Sequence, residues 1–297
     1  MEIKTIEKGA ELISVIYKGE ERMHDGKTFW GKHSPILFPA IGNLRFPNVI
    51  IDGKEYPLHK HGFARDLNFE KIGENSYVLK SNEETHKMYP YDFEFYVWYE
   101  VDGNKLTFNF KVVNKSEKEM LFGLGGHPAF KCDYSNGKCY VEFEETEDEL
   151  EVIPLDLKSI LLKNEIIKGE TILTNKKIIK FDKDTFKIDT LVLTKIKSKS
   201  ITLKEGDKKL VKVNFDGFKY MGIWSPVGAP FVCLEPWYNT CDYVDSTNEF
   251  KDKKDILHLE AGKEFNGPGA RVEFASVDRY VHSVAWRHRP SARSAGT

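Results

Sequence analysis

Several familiar signals are missing from this chain, and each absence narrows what it can be. Cysteine is scarce: Cys132, Cys139, Cys233 and Cys241 form no CxxC pair and are too sparse for a disulfide framework. No N-terminal apolar stretch resembles a signal peptide, and no apolar run approaches the roughly 20 residues of a membrane span. A soluble cytoplasmic protein is therefore expected. Charge imbalance is also lacking. Lys and Arg number 44 against 46 Asp and Glu, a formal net charge of −2, which gives no reason to expect nucleic acid or an anionic membrane as partner. No P-loop or dinucleotide fingerprint occurs. Nor does any stretch sustain helical periodicity over three turns.

Arginine is short as well, but only up to a point. Residues 1–265 contain Arg22, Arg45 and Arg65 among many lysines, whereas residues 266–297 contain five arginines and no lysine. Selection on one fold does not switch one cation for the other at a single position; a change in the source of the coding sequence does. The expectation is one domain over 1–265, followed by a vector-derived or otherwise foreign tail over 266–297.

What the chain does have is β pattern. Phe93, Phe95, Val97, Tyr99 and Val101 alternate up to Asp102-Gly103-Asn104, and Leu106, Phe108, Phe110 and Val112 alternate after it. This is an antiparallel hairpin. A second is written around Glu205-Gly206-Asp207, and an opening one around Gly9-Ala10. Phe231–Leu234 reads as a short strand buried on both faces. Hairpins without helical crossovers, in a chain that is 40% hydrophobic and 13% aromatic, predict an all-β fold: one large antiparallel β-sandwich.

Three segments carry candidate chemistry. Gly123-Leu-Gly-Gly-His127-Pro-Ala-Phe130 sets a histidine, the side chain that titrates nearest neutral pH, between permissive glycines and a rigid proline. Glu235 ends the Phe231–Leu234 strand, where burial raises a carboxyl pKa towards catalytic usefulness. Trp224 and Trp237 flank it, as core residues or as platforms for sugar C–H faces. The extended stretch His33–Pro47 contains three prolines and Arg45, whose fork of donors suits ligand oxygens. Farther on, His59 and His61 would share a face if Tyr56–His61 is a strand. Gly53 followed after five residues by His59-Lys-His61 approaches a cupin metal pattern, but the glutamate that should follow is replaced by Arg65-Asp66. A cupin-like metal isomerase would need more ligands than these two.

His61-Gly-Phe-Ala-Arg65, Gly125-Gly-His-Pro-Ala-Phe130 and Glu235-Pro-Trp237, in this order and spacing, resemble the aldose 1-epimerase (mutarotase) family, nearest the bacterial branch with the LacX-type proteins. The resemblance runs from about Ile3 to Phe265. It implies a galactose mutarotase-like β-sandwich with an open sugar-binding cleft. It also implies His127 as general acid at the ring oxygen and Glu235 as general base at the anomeric hydroxyl. Arg45, His61 and Asp189 match substrate-binding positions, with Phe63 standing where sugar mutarotases more usually have glycine. No metal, nucleotide or redox cofactor is implied, and the partner is a small sugar, bound by a monomer or homodimer. A non-catalytic carbohydrate-binding module of the same fold and a hexose-6-phosphate 1-epimerase are the alternatives. With so few arginines in 1–265, free aldohexoses are expected in preference to their 6-phosphates.

Overall fold

Residues Asp102 and Gly103 illustrate how the sheets arise. Phe93–Asp102 and Lys105–Asn114 are ten-residue strands, paired antiparallel with Val101 opposite Leu106 and Phe95 opposite Val112. Gly103 takes the φ of 59° that the tight turn requires. Phe93, Phe95, Val97, Tyr99, Leu106, Phe108, Phe110 and Val112 all point inward and are buried. Each of these large side chains contributes about 1.5–3 kcal/mol by leaving water.

The computed structural model describes residues 1–275. Two large antiparallel sheets form a sandwich. The nine-stranded sheet runs Ile178–Lys180, Cys139–Phe143, Ser200–Glu205, Lys208–Asn214, Glu264–Phe274, Lys105–Asn114, Phe93–Asp102, Ser76–Lys80, Glu70–Gly73. The facing sheet runs Ile167–Lys168, Glu151–Ile153, Leu191–Thr194, Tyr220–Trp224, Phe231–Trp237, Gly125–Gly126, Ile36–Leu37, with Ala129–Lys131 also paired to Phe231–Trp237. Phe95, Phe110, Leu203 and Val213 from the first sheet share one apolar core with Leu193, Met221, Ile223 and Leu234 from the second. Among the described residues the α-helix is confined to Glu83–His86, joined by short 3-10 turns. No described helix is long and apolar enough to cross a membrane.

One strand crosses the expected domain end at Phe265. Glu264–Phe274 lies inside the nine-stranded sheet, bonded on one side to Lys105–Asn114 and on the other to Lys208–Asn214. Ala270, Val272 and Phe274 are buried, with Val272 opposite both Leu106 and Val213. The alternation of these apolar residues outweighs the change in cation usage, and the sheet continues through Phe274. The rest of the expected tail, 276–297, lies outside the described residues.

Candidate active site

The strand Phe231–Trp237 is buried along its whole length. With a side-chain period of two, Val232 and Leu234 enter the main core, and Phe231, Cys233, Glu235 and Trp237 face the other side of the sheet. The neighbouring strand behaves in the same way. Met221 and Ile223 enter the core, while Gly222 lies opposite Glu235 and Trp224 opposite Cys233. Two glycines make room for Trp237: a Cβ on Gly222 or on Gly125 would come within 2.7 Å of the indole ring.

His127 enters the same face from the adjacent segment. Its amide donates to the Pro35 carbonyl at 3.1 Å, and the Ala129 amide donates to the His33 carbonyl at 2.9 Å, which fixes the turn around Pro128. The imidazole Nε2 stands 3.2 Å from Glu235 Oε2. Trp30 stacks on the ring at 4.7 Å between centroids, and Trp224 and His61 meet it edge-on, each at 5.6 Å. Trp30 is itself anchored. Its carbonyl accepts from His24 Nε2 at 2.9 Å, and the His24 ring stacks on Phe231 at 4.0 Å.

Burial governs the protonation of the pair. It pushes His127 down to about 3, helped by the positive charges of Lys60 and Arg65. It pushes Glu235 well above the usual carboxylate range, opposed by Lys60 and reinforced by Asp189. Burial thus disfavours the charged form of each group, so in the empty site the proton the pair shares rests on Glu235 and His127 is a neutral imidazole.

His61 has a φ of 65°, and its Nδ1 accepts from the Gly42 amide at 3.0 Å. The ring proton is thus on Nε2. Burial, followed by His127, Arg65 and Lys60, keeps the imidazole neutral, so His61 is a fixed N–H donor. Asp189, also at positive φ, accepts from the Thr190 amide and hydroxyl through Oδ1, each at 2.8 Å.

His61, His127, Asp189, Trp224 and Glu235 line one cavity of about 230 Å³. Arg45 does not join them. Its guanidinium donates to the Ser246 carbonyl at 2.7 Å, and its amide is held by Asp242 Oδ2 at 2.9 Å, which keeps the side chain on the surface. The cations on the cavity wall are Lys60 and Arg65. Nor do His59 and His61 share a face: the strand ends at Pro57, and His59 is exposed while His61 is buried. Trp30, Asn43, Lys60 and Thr190 also line the cavity without having been singled out from the sequence. Of these, only Trp30 carried a signal, as an aromatic platform in a stretch otherwise rich in turn residues.

Comparison with known proteins gives a consistent result. A family model described as Aldose 1-epimerase matches residues 1–266. The plasmid-encoded protein LacX of Lactococcus lactis subsp. lactis is 32% identical over 254 residues, covering 80% of this chain and 84% of that protein. A solved galactose mutarotase related enzyme from Lactobacillus acidophilus is 33% identical with a TM-score of 0.85, covering 92% of this chain and 94% of the other. A galactose mutarotase-like protein from Lactobacillus casei also superposes with a TM-score of 0.85, at 26% identity over 92% of this chain and 96% of its own. The sandwich is accordingly of the galactose mutarotase-like type.

Proposed function

The chain belongs to the aldose 1-epimerase family, and on that premise we propose that it interconverts the α and β anomers of an aldohexose, with His127 and Glu235 as the acid–base pair. One observation carries this reading: the two side chains stand 3.2 Å apart, both buried, on the wall of one cavity. Two groups sharing a single proton always contain one acid and one base. When the sugar enters, the shared proton passes across the 3.2 Å contact from Glu235 to His127. Glu235 is then the base that takes the proton of the anomeric hydroxyl, and His127 the acid that protonates the ring oxygen. The ring opens to the aldehyde, the C1–C2 bond rotates, and closure on the other face reverses both proton transfers. The His61 Nε2–H and the free carboxylate oxygen of Asp189 orient sugar hydroxyls, and Trp30 and Trp224 offer apolar faces to the ring C–H groups.

The test is the rate of anomer exchange by saturation-transfer NMR. His127→Asn and Glu235→Gln should each lower it by about two orders of magnitude or more. A folded variant at the wild-type rate would remove that residue from its role. Wild type without exchange on any hexose would favour a binding module.

A specific observation also favours a second substrate reading. Lys60 and Arg65 both line the cavity, and two cations beside the acid–base pair suit a hexose 6-phosphate. Free aldohexoses remain our first reading, because Arg65 is already engaged by Asp66 and by the Lys60 carbonyl. Comparing kcat/KM for glucose or galactose with that for glucose 6-phosphate at low ionic strength decides between them. A tenfold preference for the phosphorylated sugar would overturn the first reading.

A further inference from the structure

Directly behind the acid–base pair lies a thiol that the proposed chemistry does not use. Cys233 is two residues before Glu235 on the same strand face, fully buried, and one ligand atom each from His127, Cys233 and Glu235 lies within 4.8 Å of the others. Imidazole, thiolate and carboxylate are the three donor types of tetrahedral zinc sites. With zinc–nitrogen and zinc–oxygen bonds of about 2.0–2.2 Å, the N···O edge of a tetrahedron is about 3.3 Å. The observed 3.2 Å between His127 Nε2 and Glu235 Oε2 fits that edge. A second feature points to a ligand: Glu235 is only 1% exposed, yet its carboxylate, which has the His127 and Trp237 side chains beside it, is reached by no backbone or hydroxyl donor among the described residues.

We propose that His127, Cys233 and Glu235 form an inhibitory site for a thiophilic divalent cation of the zinc class, with the fourth position open to the cavity. Thiolate and carboxylate together cancel the charge of the cation, as a buried site requires. On binding, the ion replaces the thiol proton and the proton held by the His127–Glu235 pair, and both leave to solvent. The ligand set excludes magnesium, which demands oxygen donors in near-octahedral array. Inhibition follows because the cation occupies both groups that must exchange protons with the sugar.

Two readouts test this. Cobalt(II) added to the metal-free protein should give a thiolate-to-metal charge-transfer band in the near ultraviolet, with no need for activity. The band should be lost in Cys233→Ala although Cys132, Cys139 and Cys241 remain. Zinc, buffered by a chelator, should inhibit anomer exchange where magnesium does not. Loss of even an outer-shell partner costs a metal site about 10–100-fold in affinity, so Cys233→Ala should raise the inhibitory zinc concentration about 100-fold. Cys233→Ser, a closer match in shape, gives the same comparison should the alanine variant fold poorly. A wild-type cobalt spectrum without the thiolate band would overturn the proposal, as would equal zinc inhibition of wild type and both variants. The spectrum also separates this proposal from the functional one, since it can appear in a protein that turns over no sugar.

Discussion

Lys60 and Asp189 act on Glu235 in opposite directions. The lysine charge favours the carboxylate, and the aspartate disfavours it. Lys60 also disfavours the charged form of His127. A pair working with one shared proton loses activity when it gains a second proton at low pH or loses its only one at high pH, which gives a bell-shaped profile. Removing the Lys60 charge raises both apparent pKa values, so Lys60→Met should move both limbs of kcat/KM to higher pH. Asp189→Asn should move the alkaline limb to lower pH. Shifts of a few tenths of a pH unit at low salt, shrinking as salt rises, are expected. Limbs that stay in place in both variants would detach these charges from the pair. Stability follows the same groups. Since burial holds His127 at about 3 in the folded protein, the unfolded chain binds more protons between about 3 and its ordinary value of about 6.5. The wild type therefore loses stability as pH falls through that window, and thermal unfolding of His127→Asn should show a smaller acid-side loss. At this scale the sequence was legible where local framing is strong. His127 among glycines and proline, and Glu235 after an apolar run, both reach the cavity. Which arginine would reach it was not legible. That choice depends on the turn at His61 and Gly62, where both residues have positive φ and a Cβ on Gly62 would stand 2.2 Å from the Phe38 carbonyl oxygen.

A strand carries Glu235, and the two-residue link between Gly125–Gly126 and Ala129–Lys131 carries His127, to within hydrogen-bonding reach of each other. Glu235 projects from the middle of a pairing that runs from Tyr220 opposite Trp237 to Trp224 opposite Cys233, so its position is set by backbone hydrogen bonds on a buried strand. Gly222 is the weak point of that arrangement, because a methyl group there would meet the Trp237 ring at 2.7 Å and the Glu235 Cβ at 3.2 Å. Gly222→Ala should cost about 1–3 kcal/mol from overpacking. It should lower kcat more than tenfold, since displacements of about 1 Å at reacting groups cost up to about 100-fold. Thermal unfolding and anomer exchange measured on the same preparation check both effects. Unchanged kcat in a destabilised protein would show that the glycine serves packing alone. The long hairpins of this fold were plain in the sequence, because ten residues of strict alternation admit one period. Pieces such as Gly125–Gly126 and Ile36–Leu37 were not. Two residues carry no period, and they are strands only because the Phe231–Trp237 side of the sheet supplies partners for them.

For the molecule as a whole, the question is where the sandwich ends. Glu264–Phe274 has a strand on each side, so its removal would expose two edges and open the first sheet between Lys105–Asn114 and Lys208–Asn214. Burial of Val272 and Phe274 alone is worth about 3–6 kcal/mol, against about 5–15 kcal/mol for the total stability of a typical domain. Gly269 fits this place closely: a Cβ there would stand 2.4 Å from the Phe108 carbonyl oxygen. Two truncations therefore separate composition from structure. A chain ending at Phe265, where the cation usage changes, should show a cooperative transition lowered by many degrees, or none. A chain ending at Ala275 should keep both the transition and the rate of anomer exchange of the full chain. Calorimetry on the two fragments reads this directly. If the shorter chain melts with the longer one, the last strand is an addition the sheet does not need, and the lysine-to-arginine boundary marks the end of the fold after all. If the longer chain also loses its transition, residues after 275 take part in the fold, and the whole of 266–297 belongs to it whatever the origin of its codons.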